Sequence, residues 1–151
     1  MVDEREKNVI LLVASLASFI VPYTGSSITV ALPAMAAQFH ADAVTLGWIT
    51  SAYIISAALF IVPFGRLADI HGRKKIFILG VAIFTVASLA CAFAPTENLL
   101  IAGRFIQGIG GAMLFATSVA IVTQVYGPGK RGWAPGITIA TVYAGLSIGP
   151  F

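Results

Sequence analysis

The chain has 151 residues, of which 58% are hydrophobic and 10% are charged, and its mean hydropathy is +0.95. Charged side chains are too few to cover the surface of a water-soluble protein. The composition therefore excludes a soluble domain and indicates a protein of the lipid bilayer. The net charge is +3, and the Lys and Arg residues form short clusters at the ends of apolar segments. This distribution is typical of membrane proteins, so nucleic acid is not an expected partner.

The first apolar segment follows a mixed-charge head of residues 1–7, which we expect to be a frayed cytoplasmic start. Residues 8–39 contain no charged side chain, and about 20 apolar residues suffice to cross a bilayer as a helix. A first transmembrane helix is therefore predicted over about 8–33. A cleaved signal peptide is the alternative, since residues 34–36 resemble a cleavage site, but the apolar stretch far exceeds the roughly 7 to 15 residues of a signal core.

Helix-breaking and hydroxyl residues lie within this first segment. Pro22 and Gly25 lie near its middle, and Pro33 is expected to end it. Thr24 and Ser27 share one helical face, which makes them candidates for a substrate path. The alternative is that both hydroxyls donate to carbonyls of their own helix.

Four further apolar segments predict four more helices, over about 44–64, 76–94, 99–126 and 133–151. Trp48 is expected at the outer membrane interface, where indole rings concentrate. The single cysteine, Cys91, lies in an apolar segment and is interpreted as a packing residue. His40 and His71 are predicted on opposite membrane faces, so neither a metal site nor a cofactor is expected.

The distribution of cations predicts the topology. If five helices alternate in direction, all Lys and Arg residues except Arg104 lie on one side of the membrane: Arg5, Lys7, Arg66, Arg73, Lys74, Lys75, Lys130 and Arg131. The positive-inside rule then places the N-terminus in the cytoplasm.

The most informative stretch is 65–75, which reads Gly-Arg-Leu-Ala-Asp-Ile-His-Gly-Arg-Lys-Lys and predicts a tight cytoplasmic turn. Gly65 and Gly72 permit close approach and positive φ. The three cations that end the stretch face an anionic leaflet, at roughly 1 kcal/mol each. Asp69 is expected to pair with Arg73 or to cap a helix, and a plain positive-inside turn is the alternative.

This stretch closely resembles the signature loop between the second and third helices of the major facilitator superfamily. Residues 47–53, Gly-Trp-Ile-Thr-Ser-Ala-Tyr, look like the start of the second helix in the fourteen-helix drug:proton antiporters. Residues 100–112, Leu-Ile-Ala-Gly-Arg-Phe-Ile-Gln-Gly-Ile-Gly-Gly-Ala, are similar to the fourth-helix motif. Residues 145–150, Gly-Leu-Ser-Ile-Gly-Pro, resemble the opening of the fifth-helix antiporter motif. The four motifs span nearly the whole chain in the order that this family requires.

The resemblance implies an all-α membrane protein whose five transmembrane helices form most of the N-terminal six-helix bundle of a major facilitator fold. Residues 1–151 are then one incomplete N-terminal transmembrane domain that stops in the fifth helix. The implied partners are the lipid bilayer, a small-molecule substrate, protons as the coupling ion, and the missing C-terminal helices or second half. The implied location is the cell membrane, as a multi-pass protein.

Matching positions acquire implied roles. The cytoplasmic gate motif comprises Gly65, Arg66, Asp69, Gly72, Arg73 and Lys74; the proton-coupling or cavity group comprises Arg104, Gln107 and Gly108; the antiporter-motif kink comprises Gly145, Gly149 and Pro150; and a possible substrate path comprises Thr24, Ser27 and Tyr53. For Gly145 and Gly149, close helix packing alone is the alternative, because small residues four apart let helices approach.

Arg104 is the one ionisable residue placed well inside an apolar segment. It shares a helical face with Gln107, Gly108, Gly111 and Ser118, so its guanidinium can face a polar cavity or a helix interface, as intramembrane charges do. The alternative is a structural arginine that reaches the headgroups along its own stem.

One position departs from the family pattern. Thr24 stands where the drug:proton antiporters carry an aspartate ahead of Ala-Leu-Pro, and every acid of the chain lies in a predicted terminus or loop: Asp3, Glu4, Glu6, Asp42, Asp69 and Glu97. Proton coupling is therefore implied by the resemblance alone. The expected function is that of a secondary transporter fragment for proton-coupled efflux of small hydrophobic or cationic compounds.

Two alternatives stay open. One is a uniporter or symporter for sugars or other metabolites, which the missing acid at Thr24 allows. The other is a truncated membrane fragment that transports nothing. An enzyme is not expected, because no nucleophile, base and acid set and no phosphate loop is present in the sequence.

Overall fold

A computed structural model describes residues 3–126 and 132–151, and these residues form five α-helices. The helices are α1 (Glu4–Phe39), α2 (Ala43–His71), α3 (Arg73–Ala92), α4 (Glu97–Tyr126) and α5 (Trp133–Ile148). No strand occurs in this part of the chain, which confirms the predicted all-α class. The first four helices are long and apolar enough to cross a membrane, and α5 is a shorter apolar helix of 16 residues.

The start of α1 corrects the prediction of a frayed N-terminal head. The helix begins at Glu4, and the backbone N–H of Asp3 donates to Glu6 Oε2 at 3.3 Å. Lys7 Nζ pairs with Glu4 Oε1 at 2.8 Å. Acids in the first turn complement the helix dipole, so the mixed-charge residues extend the helix instead of fraying.

The far end of α1 corrects the prediction that Pro33 ends the segment. α1 passes through Pro22 and Pro33 and ends at Phe39. His40, with φ 50°, adopts the left-handed cap conformation, and its N–H donates to Ala36 O. A proline removes one backbone donor but keeps a helical φ, so a membrane helix continues where packing supports its flanks.

The connection between α2 and α3 is shorter than the predicted turn over 65–75. α2 continues to His71 and α3 begins at Arg73, so the turn consists of Gly72 alone, with φ 98°. This is the positive φ that the sequence predicted for a glycine here. Gly65 instead lies inside α2, where an added Cβ would come 4.0 Å from Ala116 Cβ.

The N-terminal ends of α2 and α4 are capped by polar side chains. Thr45 N donates to Asp42 Oδ1 at 2.8 Å, and this hydrogen bond holds the pKa of the Asp42 carboxyl below its usual range. Leu99 N lies 3.4 Å from Thr96 Oγ1, and α4 begins at Glu97, within the stretch predicted as a loop. Both caps satisfy donors that a helix start leaves unpaired.

α4 is the central helix. In its most apolar 18-residue stretch 56% of the residues are buried, against 22% to 28% in α1, α2 and α3. α2 and α3 pack along α4, and α1 packs against both α4 and α5. α4 contributes Val122, Leu114, Leu100 and Met113 to four successive buried clusters. The other helices leave large apolar side chains exposed on the outer surface, including Leu12, Leu16, Val62 and Ile78. Such a surface fits lipid.

Candidate functional site

The guanidinium of Arg104 lies inside the helix bundle. Arg104 is 2% exposed, its Nη1 donates to Gln107 Oε1 at 2.6 Å, and its Nε donates to Ile49 O at 3.4 Å. The carbon Cζ lies 4.3 Å from the centre of the Tyr53 ring, within the range of a cation–π contact. The structure thus holds this guanidinium between α2 and α4, inside the bundle and not on its outer surface.

A hydrogen-bond chain extends from Arg104 to α3. Gln107 Nε2 donates to Ser88 Oγ at 2.7 Å, and the Ser88 hydroxyl donates to Phe84 O at 2.7 Å. The sequence analysis did not identify Ser88 as a site residue, because a serine within an apolar helix gives no indication that it binds Gln107, 19 residues further along the chain. One nitrogen is left over: Arg104 Nη2 is buried and has no acceptor among residues 3–126 and 132–151.

Glycines make the contact between α2 and α4 possible. A Cβ at Gly108 would overlap Ser56 Oγ and Tyr53 O, and a Cβ at Gly111 would lie 3.2 Å from the Tyr53 hydroxyl oxygen. Ser56 Oγ, fully buried, donates to Tyr53 O at 3.0 Å. The small residues of α4 therefore allow the Tyr53 ring to lie against Arg104.

An apolar cavity of about 310 Å³ adjoins Arg104 between α1, α3 and α4. It is lined by Thr24, Ser27, Ile28, Ala31, Met35, Ser88, Cys91, Ala92, Leu100, Arg104 and Gln107. Of the residues predicted along a substrate path, Thr24 and Ser27 line this cavity. Tyr53 does not; it is buried under Arg104 and donates its hydroxyl to Val21 O at 2.8 Å.

The cavity hydroxyls donate within their own helix. Thr24 Oγ1 donates to Ile20 O at 2.7 Å, and Ser27 Oγ donates to Thr24 O at 3.5 Å. Both hydroxyls therefore donate to carbonyls of α1, as the alternative interpretation of the sequence expected, and both also line the cavity. No carboxylate lines the cavity, and no three His, Cys, Asp or Glu side chains of the described chain lie together as a metal site.

The residues of the predicted gate motif link three helices at the opposite end of the bundle. Asp69 Oδ1 accepts from Arg73 Nε at 3.1 Å and from Arg73 Nη2 at 3.0 Å. Arg73 Nη1 donates to Ala120 O at 2.9 Å and lies 3.5 Å from Gln124 Oε1 on α4. The arginine thereby connects the end of α2 with α4, and Gln124 is a second partner that the sequence did not indicate. Arg66 and Lys74 are exposed.

The predicted antiporter-motif glycines lie against α1. A Cβ at Gly145 would overlap Phe19 O, and one at Gly149 would overlap Ser26 Oγ and come 2.9 Å from Tyr23 O. Ser26 Oγ lies 3.3 Å from Gly145 O. These contacts favour the interpretation that both glycines allow α5 to pack closely against α1. α5 ends at Ile148, directly before Gly149 and Pro150, and a kink at these residues stays a prediction.

Residues 14–151 match the family model described as Major Facilitator Superfamily. The chain belongs to this superfamily. The match covers α1 from residue 14 onward and all of α2 to α5, and it confirms the recognition made from the four motifs. Members of the superfamily carry small molecules across membranes, and α1 to α4 of this chain are long and apolar enough to cross one.

Similar curated proteins include a riboflavin transporter, a cephamycin export protein and a multidrug resistance protein. The chain is 31% identical over 146 residues to the riboflavin transporter RibZ of Clostridioides difficile (strain 630), covering 97% of the chain and 32% of that protein. It is 37% identical over 134 residues to the cephamycin export protein CmcT of Amycolatopsis lactamdurans, covering 89% and 27%. It is 32% identical over 147 residues to the multidrug resistance protein Stp of Mycobacterium tuberculosis (strain CDC 1551 / Oshkosh), covering 97% and 27%. The chain therefore spans about a third or less of the length of these relatives.

Proposed function

We propose that this superfamily chain contributes the N-terminal helices of a proton-coupled secondary transporter that exports small hydrophobic or cationic compounds across the cell membrane. The observation that carries the proposal is the buried Arg104 beside a mostly apolar cavity, because an intramembrane charge that faces a cavity marks a transport pathway. Three similar proteins are named for multidrug resistance, cephamycin export and actinorhodin transport, which supports export.

The cavity favours the hydrophobic half of this substrate class. Its lining contains Ile28, Met35 and Leu100 but no acid that would pair with a cation. A proton carrier is also missing from the membrane interior, because all six acids lie within a few residues of a helix end. The coupling acid is thus proposed to reside in the part of a full-length protein that these 151 residues do not contain.

The residues 65–75 are proposed to act as the cytoplasmic gate. Asp69 and Arg73 bind each other, and Arg73 also binds the α4 backbone, so movement of α4 relative to the end of α2 has to break this arrangement. The role of Arg104, Gln107 and Gly108 in coupling is a proposal of the same kind.

The N-terminus and the α2–α3 turn are proposed to face the cytoplasm. A Cys91→Ser background with Lys74→Cys should react with a membrane-impermeant maleimide only in inside-out vesicles, and Glu97→Cys only in intact cells. Lys130 and Arg131, which support the same orientation, lie outside the described residues. Labelling of both positions from one side would contradict the five-helix topology.

Export is tested with the full-length protein in proteoliposomes. An imposed proton gradient should drive accumulation of a fluorescent hydrophobic compound against its concentration gradient, and nigericin should abolish the accumulation. Equilibration that nigericin leaves unchanged would indicate a uniporter. Liposomes that contain only the 151 residues serve as the matched control; saturable transport by them would contradict their assignment as one part of a transporter.

A further inference from the structure

We propose that Arg104 binds a carboxylate of the transported compound, so that the carried molecules include small apolar organic anions. This inference rests on the proposed transport function and names the substrate class of the same cavity. An anionic substrate has the opposite charge to the cationic compounds that the family resemblance led us to expect.

The first support is the unsatisfied nitrogen. Arg104 Nη2 is buried, with no acceptor in the described chain, while Nε and Nη1 are bound to Ile49 O and Gln107 Oε1. A buried donor without a partner is destabilising, and more so when the group is charged. The site as it stands therefore favours a ligand that brings an acceptor.

The second support is charge. Both ion pairs of the described chain, Lys7 with Glu4 and Arg73 with Asp69, lie at helix ends, and neither includes Arg104. Glu97 is the acid nearest to it along α4, and seven residues of helix separate the two by about 10 Å. Among residues 3–126 and 132–151 the guanidinium has no counter-charge, and an uncompensated buried charge is strongly unfavourable until an anion pairs with it.

The third support is the chemistry of the cavity wall. Thr24, Ser27 and Ser88 all direct their hydroxyl hydrogens to carbonyls of their own helices. These side chains do not offer donors to a neutral polar ligand, and no carboxylate is present for a cationic one. Arg104 is left as the one charged side chain in the described lining of a mostly apolar wall, which suits an apolar body with one carboxylate.

The geometry of the guanidinium fits this group. Stacking on Tyr53 and the bond to Gln107 hold its plane in one orientation, so the cost of ordering a long side chain is already met before a ligand arrives. A planar carboxylate matches a planar, preoriented donor better than a spherical anion does.

The test compares two probes of nearly equal shape, 1-naphthoate and 1-naphthamide, at pH 7 on the purified chain in nanodiscs, with binding to empty nanodiscs subtracted. Naphthoate is expected to bind at least about tenfold more tightly than naphthamide, since one charge-assisted hydrogen bond is worth roughly 1.5 to 3 kcal/mol. Equal affinities in the unmodified protein would overturn the proposal and would mean that water alone satisfies Nη2.

The variants locate the preference. Arg104→Gln should reduce the ratio of the two affinities to about one, while Arg5→Gln, which removes the same charge from the exposed first turn of α1, should leave it unchanged. Arg104→Lys keeps the charge and should retain part of the preference. A preference that survives in folded Arg104→Gln protein, or that Arg5→Gln abolishes, would overturn the assignment to Arg104.

A protein carboxylate outside these 151 residues is the other source of an acceptor. The same titration on the full-length protein distinguishes the two, because an internal acid would already occupy Nη2 and remove the preference for naphthoate. Loss of the preference there would overturn the proposal. Failure of export with the preference intact would instead reject the proposed function and leave the anion site standing.

Discussion

Replacement of Gly108 by alanine is expected to destabilise the helix bundle by about 1 to 3 kcal/mol or more, as overpacking in a well-packed core does. A Cβ at this position would overlap Ser56 Oγ and the backbone oxygen of Tyr53. Since a backbone carbonyl cannot rotate away, α2 and α4 must separate. The measurement is the free energy of unfolding of the purified chain in mixed micelles.

Two variants serve as controls for Gly108→Ala. Gly47→Ala adds the same methyl group to α2, where nothing lies within 4 Å of the new Cβ, and should stabilise the protein by up to about 1 kcal/mol, because alanine is the better helix former. Ser56→Gly in the Gly108→Ala background removes one of the two overlaps and should restore only part of the loss. Equal stability of Gly108→Ala and Gly47→Ala would show that α2 and α4 do not approach as closely as described.

Replacement of Asp69 by asparagine is expected to lower transport by the full-length protein about fivefold while leaving membrane insertion intact. The Asp69–Arg73 pair is largely exposed, and such pairs contribute roughly 0 to 1 kcal/mol to stability. A change of about 1 kcal/mol in the balance between two conformations nevertheless alters their ratio about fivefold. The measurements are initial transport rates and the amount of protein in the membrane.

Glu97→Gln is the matched control for the gate. It makes the same acid-to-amide change in the first turn of α4, at the opposite end of the bundle from Asp69, and should leave the transport rate unchanged. Arg73→Lys should resemble Asp69→Asn, because an ammonium cannot bind Asp69 and Ala120 O with the same fork of donors. Normal transport by Asp69→Asn would remove the basis for a gate role of this residue.

The positions of helix ends show where local sequence is a poor guide. Charged residues at 66–71 indicated a loop, yet they continue α2, because Asp69 and Arg73 lie four apart across the turn and bind each other. Pro33 indicated a helix end, yet α1 runs on to Phe39. A proline inside a helix costs about 3 kcal/mol, and at Pro33 this cost is offset by the packing of Met35 and Phe39 against the buried cluster that includes Ile49.

By itself, the sequence determined that the chain belongs to a bilayer, that it forms five helices, that it has major facilitator motifs, and that Arg104 is a charge within an apolar segment. These features depend on composition and spacing along the chain, which need no knowledge of contacts. Only the tertiary structure decided that Arg104 meets Tyr53, Gln107 and a cavity, that Ser88 continues its hydrogen-bond chain, and that Arg73 binds α4 through Ala120 and Gln124. Apart from the bond between Arg104 and Gln107, which share a face of α4, these contacts join residues 19 to 55 positions apart on different helices. Around Arg104 they depend on glycines that let the helices approach, which spacing along one helix does not reveal.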